Sequence, residues 1–402
     1  MRICFITDLP VWSLGKGKGA PSFYNTLELY NDRGDQVTLI TTEQDLDLSE
    51  LANIKVVKLR KYRLLHSRML GGSLRLFHKY YLYVKYQLDG LRELKRTASD
   101  ADVVYAYEIG FVPAAKMFCQ SSGKKWVSRF QGTILTDLIQ TSGRWRKIRL
   151  YLQFYDHILA LKMQSSLTIM TDDGTKGDQV LRTLRGVSRA GKIEFYKNGV
   201  DSPDIGSIDI ADFGQVHQAQ EIVFSSVSRV QRWKRLDRSV EVFEAFQQRY
   251  PQSHYYIVGE GPALAAVKEL VIVKGLQAKI SFLGSLDKSQ IYGLLLESKY
   301  FLSSYELSNL GNPLFEAICC GAIVATLDNG ATCEMIHDQV TGLLSPEERY
   351  MDNADKLIAL ESDQALQKAI LLEAKTQFSR VMDSWSQRMD KEYNAVAILN
   401  DE

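Results

Sequence analysis

Short runs of β-branched and aromatic residues alternate along the whole chain with longer amphipathic stretches. In the first half these runs fall at 2–7, 36–42, 103–107, 126–130 and 167–171. The pattern restarts at 222–226 and continues at 255–258, 280–283, 300–303 and 322–326. Strands spaced by helix-length segments predict parallel sheets covered by helices, so the chain reads as α/β with two sheets. Between the two series lies Asn198-Gly199-Val200-Asp201-Ser202-Pro203, whose Asn-Gly and Ser-Pro pairs break regular structure and suit a connection between domains. The expected division is therefore a first domain over 1–202 and a second over 203–385. Near the end, Val381, Trp385, Met389, Tyr393 and Val396 recur at helical spacing and predict one amphipathic helix across 380–399. That helix either packs on the second domain or returns to the first.

Composition adds limits. A length of 402 residues fits two domains better than one, and 45% hydrophobic with 24% charged residues is enough for full cores without disulfides or metals. A net charge of +1 offers no global attraction to nucleic acid. Cys4, Cys119, Cys319, Cys320 and Cys333 are odd in number and lack paired C-x-x-C spacing, which reads as reduced thiols in an intracellular protein. Residues 1–8 reach Asp8 too soon for a secretory leader, and no apolar run is long enough to span a bilayer. A cytoplasmic location follows, with the inner membrane face still open.

Two segments carry candidate chemistry. The first, from Ser303 to Gly321, runs from a strand through a polar glycine loop to Pro313, a residue suited to a first helical turn. Backbone N–H groups of Leu310, Gly311 and Asn312 would then form an anion site, with Glu316 one turn further in to accept ligand hydroxyls. An ordinary capped helix with a surface glutamate is the plain alternative. The second segment, Ser228-Arg229-Val230-Gln231-Arg232-Trp233-Lys234-Arg235, leaves the carboxyl end of the strand at 222–226, the ligand side of a parallel sheet. Arg229 offers a planar fork and Lys234 a mobile point charge, and both suit a diphosphate.

Taken in order, Gly17-Lys18-Gly19, Asn198 to Asp201, Arg229 with Lys234, Gly259-Glu260-Gly261-Pro262, Phe282-Leu283-Gly284 and Asn309 to Gly321 resemble the family 4 retaining glycosyltransferases. The resemblance covers nearly the whole chain. It implies the GT-B fold: two Rossmann-like parallel-sheet domains facing a central cleft, acceptor mostly on 1–202, donor on 203–385, and a last helix, 386–402, completing the first domain. It also implies roles. Arg229 and Lys234 would clamp the donor diphosphate, Leu310, Gly311 and Asn312 would bond it through backbone, and Glu316 would hold the ribose. Gly17, Lys18 and Gly19 would close over the phosphates, and the segment around Ser281 would meet the base through main-chain groups. The co-substrate is then a UDP or GDP sugar, with no cofactor and no metal.

Two positions depart from the family pattern. Ser308 stands where the first of two glutamates is expected, and Gln131 stands where many members place a histidine near the reacting sugar. Front-face transfer tolerates both losses, because the leaving diphosphate accepts the acceptor's proton and the cations on it carry the catalysis. Ser308 or Asn309 is then expected at the donor sugar, with Glu306 pointing elsewhere. The losses also keep a second class in view, a catalytically weakened sugar-nucleotide or carbohydrate-binding protein. A dinucleotide fingerprint at 15–20 fails on spacing, since residues 10–14 separate it from the first strand. Asp45-Leu46-Asp47 reads as a solvated acidic turn without companion metal ligands.

One local charge asymmetry remains. Between 60 and 96, Lys61, Arg63, Arg68, Arg75, Lys79, Lys85, Arg92 and Lys95 are interleaved with aromatic and aliphatic residues, and Arg144-Trp145-Arg146-Lys147-Ile148-Arg149 adds a second cluster over 144–149. Such a pattern is either a packed helix with snorkelling cations or a surface for anionic lipid, in which case the acceptor would be a lipid-linked saccharide. No recognition motif for nucleic acid accompanies it.

Overall fold

The computed structural model describes residues 1–9, 21–44, 46, 48–62, 72–136, 143–186, 191–202 and 222–401. Gly17, Lys18 and Gly19, the two aspartates of the Asp45–Asp47 motif and residues 63–71 of the basic stretch lie outside them. The described chain forms two compact units, one of residues 1–172, 176–197 and 386–402, the other of 173–175 and 198–385.

The first unit is built on seven parallel strands: β1 (Arg2–Thr7), β2 (Gln36–Thr41), β3 (Ile54–Lys58), β4 (Val103–Tyr107), β5 (Lys125–Phe130), β6 (Leu167–Thr171) and β7 (Ile193–Tyr196), in the order β3-β2-β1-β4-β5-β6-β7. Its helices are α1 (Pro21–Asp32), α2 (Gly72–Thr97), α3 (Val112–Ser122), α4 (Arg144–Gln153), α5 (Tyr155–Lys162) and α6 (Gly177–Arg185). Every residue of β4 is buried, as expected for a central strand covered on both faces. One face packs Cys4, Ile6, Val104 and Ala106 with Phe111, Phe118 and Phe130, and the other packs Phe5 and Tyr105 with Phe23 and Tyr30. Strands β3 and β7 escape the sequence pattern because they are edge strands of mixed polarity, only partly buried.

The second unit repeats the plan with six parallel strands: β8 (Ile222–Val227), β9 (Ser253–Val258), β10 (Ile280–Gly284), β11 (Tyr300–Ser303), β12 (Ile323–Asp328) and β13 (Leu343–Pro346), ordered β10-β9-β8-β11-β12-β13. Helices α7 (Leu236–Arg249), α8 (Leu264–Val273), α9 (Lys288–Glu297), α10 (Asn312–Cys320), α11 (Asp352–Glu361) and α12 (Gln364–Val381) cover it. In both sheets strand order reverses beside the first strand, between β1 and β4 and between β8 and β11. At such a switch point the carboxyl ends of adjacent strands splay their loops apart and leave a crevice for ligand.

The single helix expected across 380–399 is two. Helix α12 stops at Val381, residues 382–384 leave the helix with Met382 extended, and α13 (Trp385–Asp401) begins anew. The break is held by the Asn198–Asp201 turn: Val200 N–H donates to Asp383 O at 3.0 Å, and Asp201 Oδ1 accepts from Trp385 N–H at 2.9 Å. Gly199 fits there because a Cβ would lie 2.5 Å from the Trp385 backbone. Residues 386–402 group with the first unit. On α13, Glu392 is buried between Arg129 of β5 and Arg388, and Tyr105 Oη donates to its carboxylate.

Candidate functional site

The β8/β11 switch point of the second sheet gathers the two chemistry-bearing segments. After β8 the chain makes a short 3-10 turn, Arg232–Lys234, and passes through Arg235 in the left-handed region (φ 46°) into α7. After β11 the loop 304–311 leads into α10. The two are tied directly, since Glu306 N–H donates to Trp233 O at 2.9 Å. A third loop, after β9, fixes the first from below. Val230 N–H donates to Glu260 O, and a Cβ on Gly259 (φ 123°) would sit 1.9 Å from Ser228 O, one on Gly261 2.3 Å from Val230 O. The glycines of Gly259-Glu260-Gly261-Pro262 are thus demanded by the backbone of the basic loop.

Lys234 is the most perturbed cation in this edge. Its ammonium lies 3.4 Å from the Tyr305 ring centre and 4.1 Å from that of Trp233. Among the described residues no carboxylate reaches it within 4 Å. Burial first, then repulsion from Arg229, pushes its pKa down to about 7, against a weaker pull from Asp173. The aromatic faces offset part of the desolvation, but the ammonium still favours an incoming anion. Arg229 lies on the same loop with much of its surface open to solvent, and desolvation of its guanidinium by the surrounding chain lowers its pKa too. Trp233 and Tyr305 were not singled out from the sequence. Their signal was an aromatic beside each member of the motif pair.

The loop before α10 is organised from inside. Asn309 is fully buried: its Oδ1 accepts from Ser303 Oγ (2.7 Å) and Tyr305 N–H (3.0 Å), and its Nδ2 donates to Asn329 Oδ1 (2.9 Å). Its amide is consumed there, so it shapes the loop and is not positioned to touch a sugar. Ser308 Oγ donates to Asp173 O at 2.8 Å and accepts from Leu310 N–H at 3.2 Å, while Gly311 N–H turns to Asn309 O. The expectation that Leu310, Gly311 and Asn312 present open N–H groups is therefore corrected. Two of the three, Leu310 and Gly311, are bonded within the loop, because a short polar loop satisfies its own donors, and Asn312 is the first residue of α10. Glu306 turns to Arg235, at 3.0 Å.

Glu316, one turn into α10, is buried and its carboxylate takes a short bond from Lys288 Nζ. Lys288 opens α9, whose Asp287–Gln290 capping box sets its position. Ser281, expected to mark the segment that meets the base, lies inside β10. It is the second residue of β10, paired with Tyr256, and its Oγ bonds His254 Nε2 at 2.9 Å. The carboxyl end of that strand is Gly284, about 10 Å along at 3.3 Å per residue, and ligands gather at carboxyl ends.

In the first unit, Gln131 follows β5. Its Nε2 donates to Ser22 Oγ (2.6 Å) and Tyr107 Oη (3.3 Å), and its backbone N–H donates to Glu108 Oε1 (2.8 Å). Glu108 sits at the carboxyl end of β4 with φ 68°, an uncommon conformation for a glutamate and one that sequence alone does not reveal. Among the described residues no group of three or more His, Cys, Asp or Glu side chains forms a metal site, and no helix is long and apolar enough to cross a membrane.

Residues 207–377 match the family described as glycosyl transferases group 1. The phosphatidylinositol N-acetylglucosaminyltransferase gpi3 subunit of Schizosaccharomyces pombe is 25% identical over 177 residues, 43% of this chain and 38% of that protein. The chain thus spans well under half the length of that curated relative. Among solved structures, Anabaena Alr3699/HepE in complex with UDP and glucose superposes with a TM-score of 0.73 at 19% identity, covering 99% of both chains. Sucrose-phosphate synthase from Thermosynechococcus elongatus gives 0.74 at 15% identity, covering 99% and 98%. At these identities the likeness establishes the fold, which is GT-B.

Proposed function

We propose that this chain, whose residues 207–377 match the glycosyl transferases group 1 family, is a retaining hexosyltransferase that uses a nucleotide-diphosphate sugar. The observation that carries this reading is Lys234: a lysine pushed to a pKa of about 7 at the β8/β11 switch point, beside Arg229 and the start of α10. An ammonium so placed gains most when a diphosphate arrives, and gains further as negative charge grows on that diphosphate when the sugar departs. In this reading Arg229 and Lys234 hold the phosphates, the Asn312 N–H adds a helix-end donor, and Glu316 meets the ribose after exchanging Lys288 for hydroxyls. No metal is required, since two cations already face the charge. UDP is the favoured nucleotide over GDP, supported by the UDP and glucose bound in the Anabaena structure.

In this reading the second unit binds the donor and the first unit the acceptor, with Gln131 as the first unit's candidate residue for it. The acceptor is a saccharide, lipid-linked or on a growing polysaccharide, met at the cytoplasmic face of the membrane. Ser308, whose hydroxyl is engaged with Asp173 O, favours one rival: a protein that binds sugar nucleotides with weakened turnover.

Binding and turnover separate the two. Thermal shift and calorimetry with UDP, GDP and their hexose derivatives should find a ligand that stabilises the protein by mass action. Lys234→Ala should then lower turnover about a hundredfold or more while the fold persists. Binding without any sugar release would select the rival, and near-normal turnover of the variant would remove Lys234 from the mechanism.

A further inference from the structure

Helix α2 exposes a single stripe. Phe77 (73% exposed), Tyr81 (61%), Val84 (55%) and Leu88 (53%) follow at spacings of four, three and four, and Arg92 and Lys95 continue the same face at four and three more. The opposite face, with Leu82, Gln87, Gly90 and Leu94, is buried against the unit. A helix that hides one apolar face in its own core and shows a second to solvent has a surface left to cover. Asp89 bonds Tyr62 and Arg92, and Glu93 bonds Arg96, so Arg92 is paired on the helix itself and Lys95 is the cation left to the stripe.

Helix α4 adjoins it. Tyr80 Oη reaches Leu152 O at 3.4 Å, and its ring lies 4.0 Å from that of Tyr155 at the start of α5. Along α4 every side chain described is exposed except Leu150, including Trp145 (83%), Ile148 and Leu152, interspersed with Arg144, Lys147 and Arg149 and with no acidic residue. A ten-residue helix open on almost all sides draws little of its stability from packing, and short isolated helices are marginal in water.

We infer that the exposed faces of α2 and α4 dock the protein on an anionic lipid bilayer, with Phe77, Tyr81, Val84 and Trp145 entering the interface and Lys95, Arg144, Lys147 and Arg149 facing the headgroups. Charge complementarity selects this occupant. A second copy would bring the same four cations against themselves, whereas anionic headgroups neutralise them and the acyl boundary accepts the aromatic rings. The surface belongs to the first unit and the switch point to the second. The inference deepens the reading of a membrane-presented acceptor, but lipid binding is measured without sugar transfer, so the two fail independently.

The test uses the purified full chain with vesicles of phosphatidylcholine alone or with about one third phosphatidylglycerol. Partitioning by sedimentation should be at least tenfold stronger on the anionic vesicles at low salt and weaken steeply at about 0.5 M salt, where charges are screened within a few ångströms. Binding should shift tryptophan emission to the blue, and Trp145→Phe should remove most of that shift. Phe77→Ser with Trp145→Ser should abolish retention while leaving nucleotide binding intact, which verifies folding; Arg144→Glu with Lys147→Glu should do the same through charge. Equal partitioning on neutral and anionic vesicles, or retention unchanged in both variants, would overturn the inference. So would self-association of the chain in sedimentation velocity that Trp145→Ser abolishes, since a second copy would then own the surface.

Discussion

Glu392 supplies the most demanding test of how the first unit holds together. Its side chain is 2% exposed, and it faces two guanidinium groups that are themselves fully buried, Arg388 at 2.8 Å and Arg129 at 3.3 Å, with Tyr105 Oη donating as well. Burial alone would raise its pKa, but Arg129, Arg388 and Tyr105 outweigh burial and hold it below the usual range. Glu392→Gln keeps the shape and removes the charge, so two cations remain in the core without an anion. Breaking a buried pair in this way costs about 3–5 kcal/mol, a large part of a total that is commonly 5–15 kcal/mol. Urea unfolding followed by circular dichroism should register that loss at pH 7. The sign with pH is fixed: a carboxyl whose folded pKa is depressed stabilises above its unfolded value and loses that contribution as pH falls through the folded one. The gap between wild type and variant should therefore close in acid. Replacing all three partners, Arg129→Met, Arg388→Leu and Glu392→Leu, should recover most of the loss. A penalty below about 1 kcal/mol, or one that persists unchanged into acid, would refute the account.

Three further outcomes follow from the donor-side geometry. Diphosphate binding should take up close to one proton at pH 8 and little at pH 6, because Lys234 near 7 is mostly neutral at the higher pH and is driven to the ammonium by the ligand; calorimetry in buffers of different ionisation heat measures this, and no uptake at pH 8 would place the anion elsewhere. Gly259→Ala should destabilise by about 2 kcal/mol or more and weaken nucleotide binding, since the new Cβ meets Ser228 O in a backbone conformation that alanine resists; thermal unfolding and titration check both effects. Glu306→Gln should change stability by less than about 1 kcal/mol and leave turnover nearly intact, for it breaks only a half-exposed pair with Arg235, and a loss like that of Lys234→Ala would show that Glu306 works at the sugar.

The sequence by itself determined what is local or periodic. Buried parallel strands are apolar at almost every position, so β1, β4, β8 and β11 announce themselves, and a basic loop directly after one such strand is legible because connectivity puts it at the carboxyl edge. Only the tertiary structure decided what depends on distant partners. That Lys234 lies between Trp233 and Tyr305, that Asn309 spends its amide on residues 303–329, and that Lys288 occupies Glu316 are all matters of which strand neighbours which, and strand order is not written in any one segment. The break at 382–384 has the same origin: its helical periodicity is intact, and the chain departs from it because the turn at 199–201, nearly two hundred residues earlier, takes the hydrogen bonds that would have continued the helix.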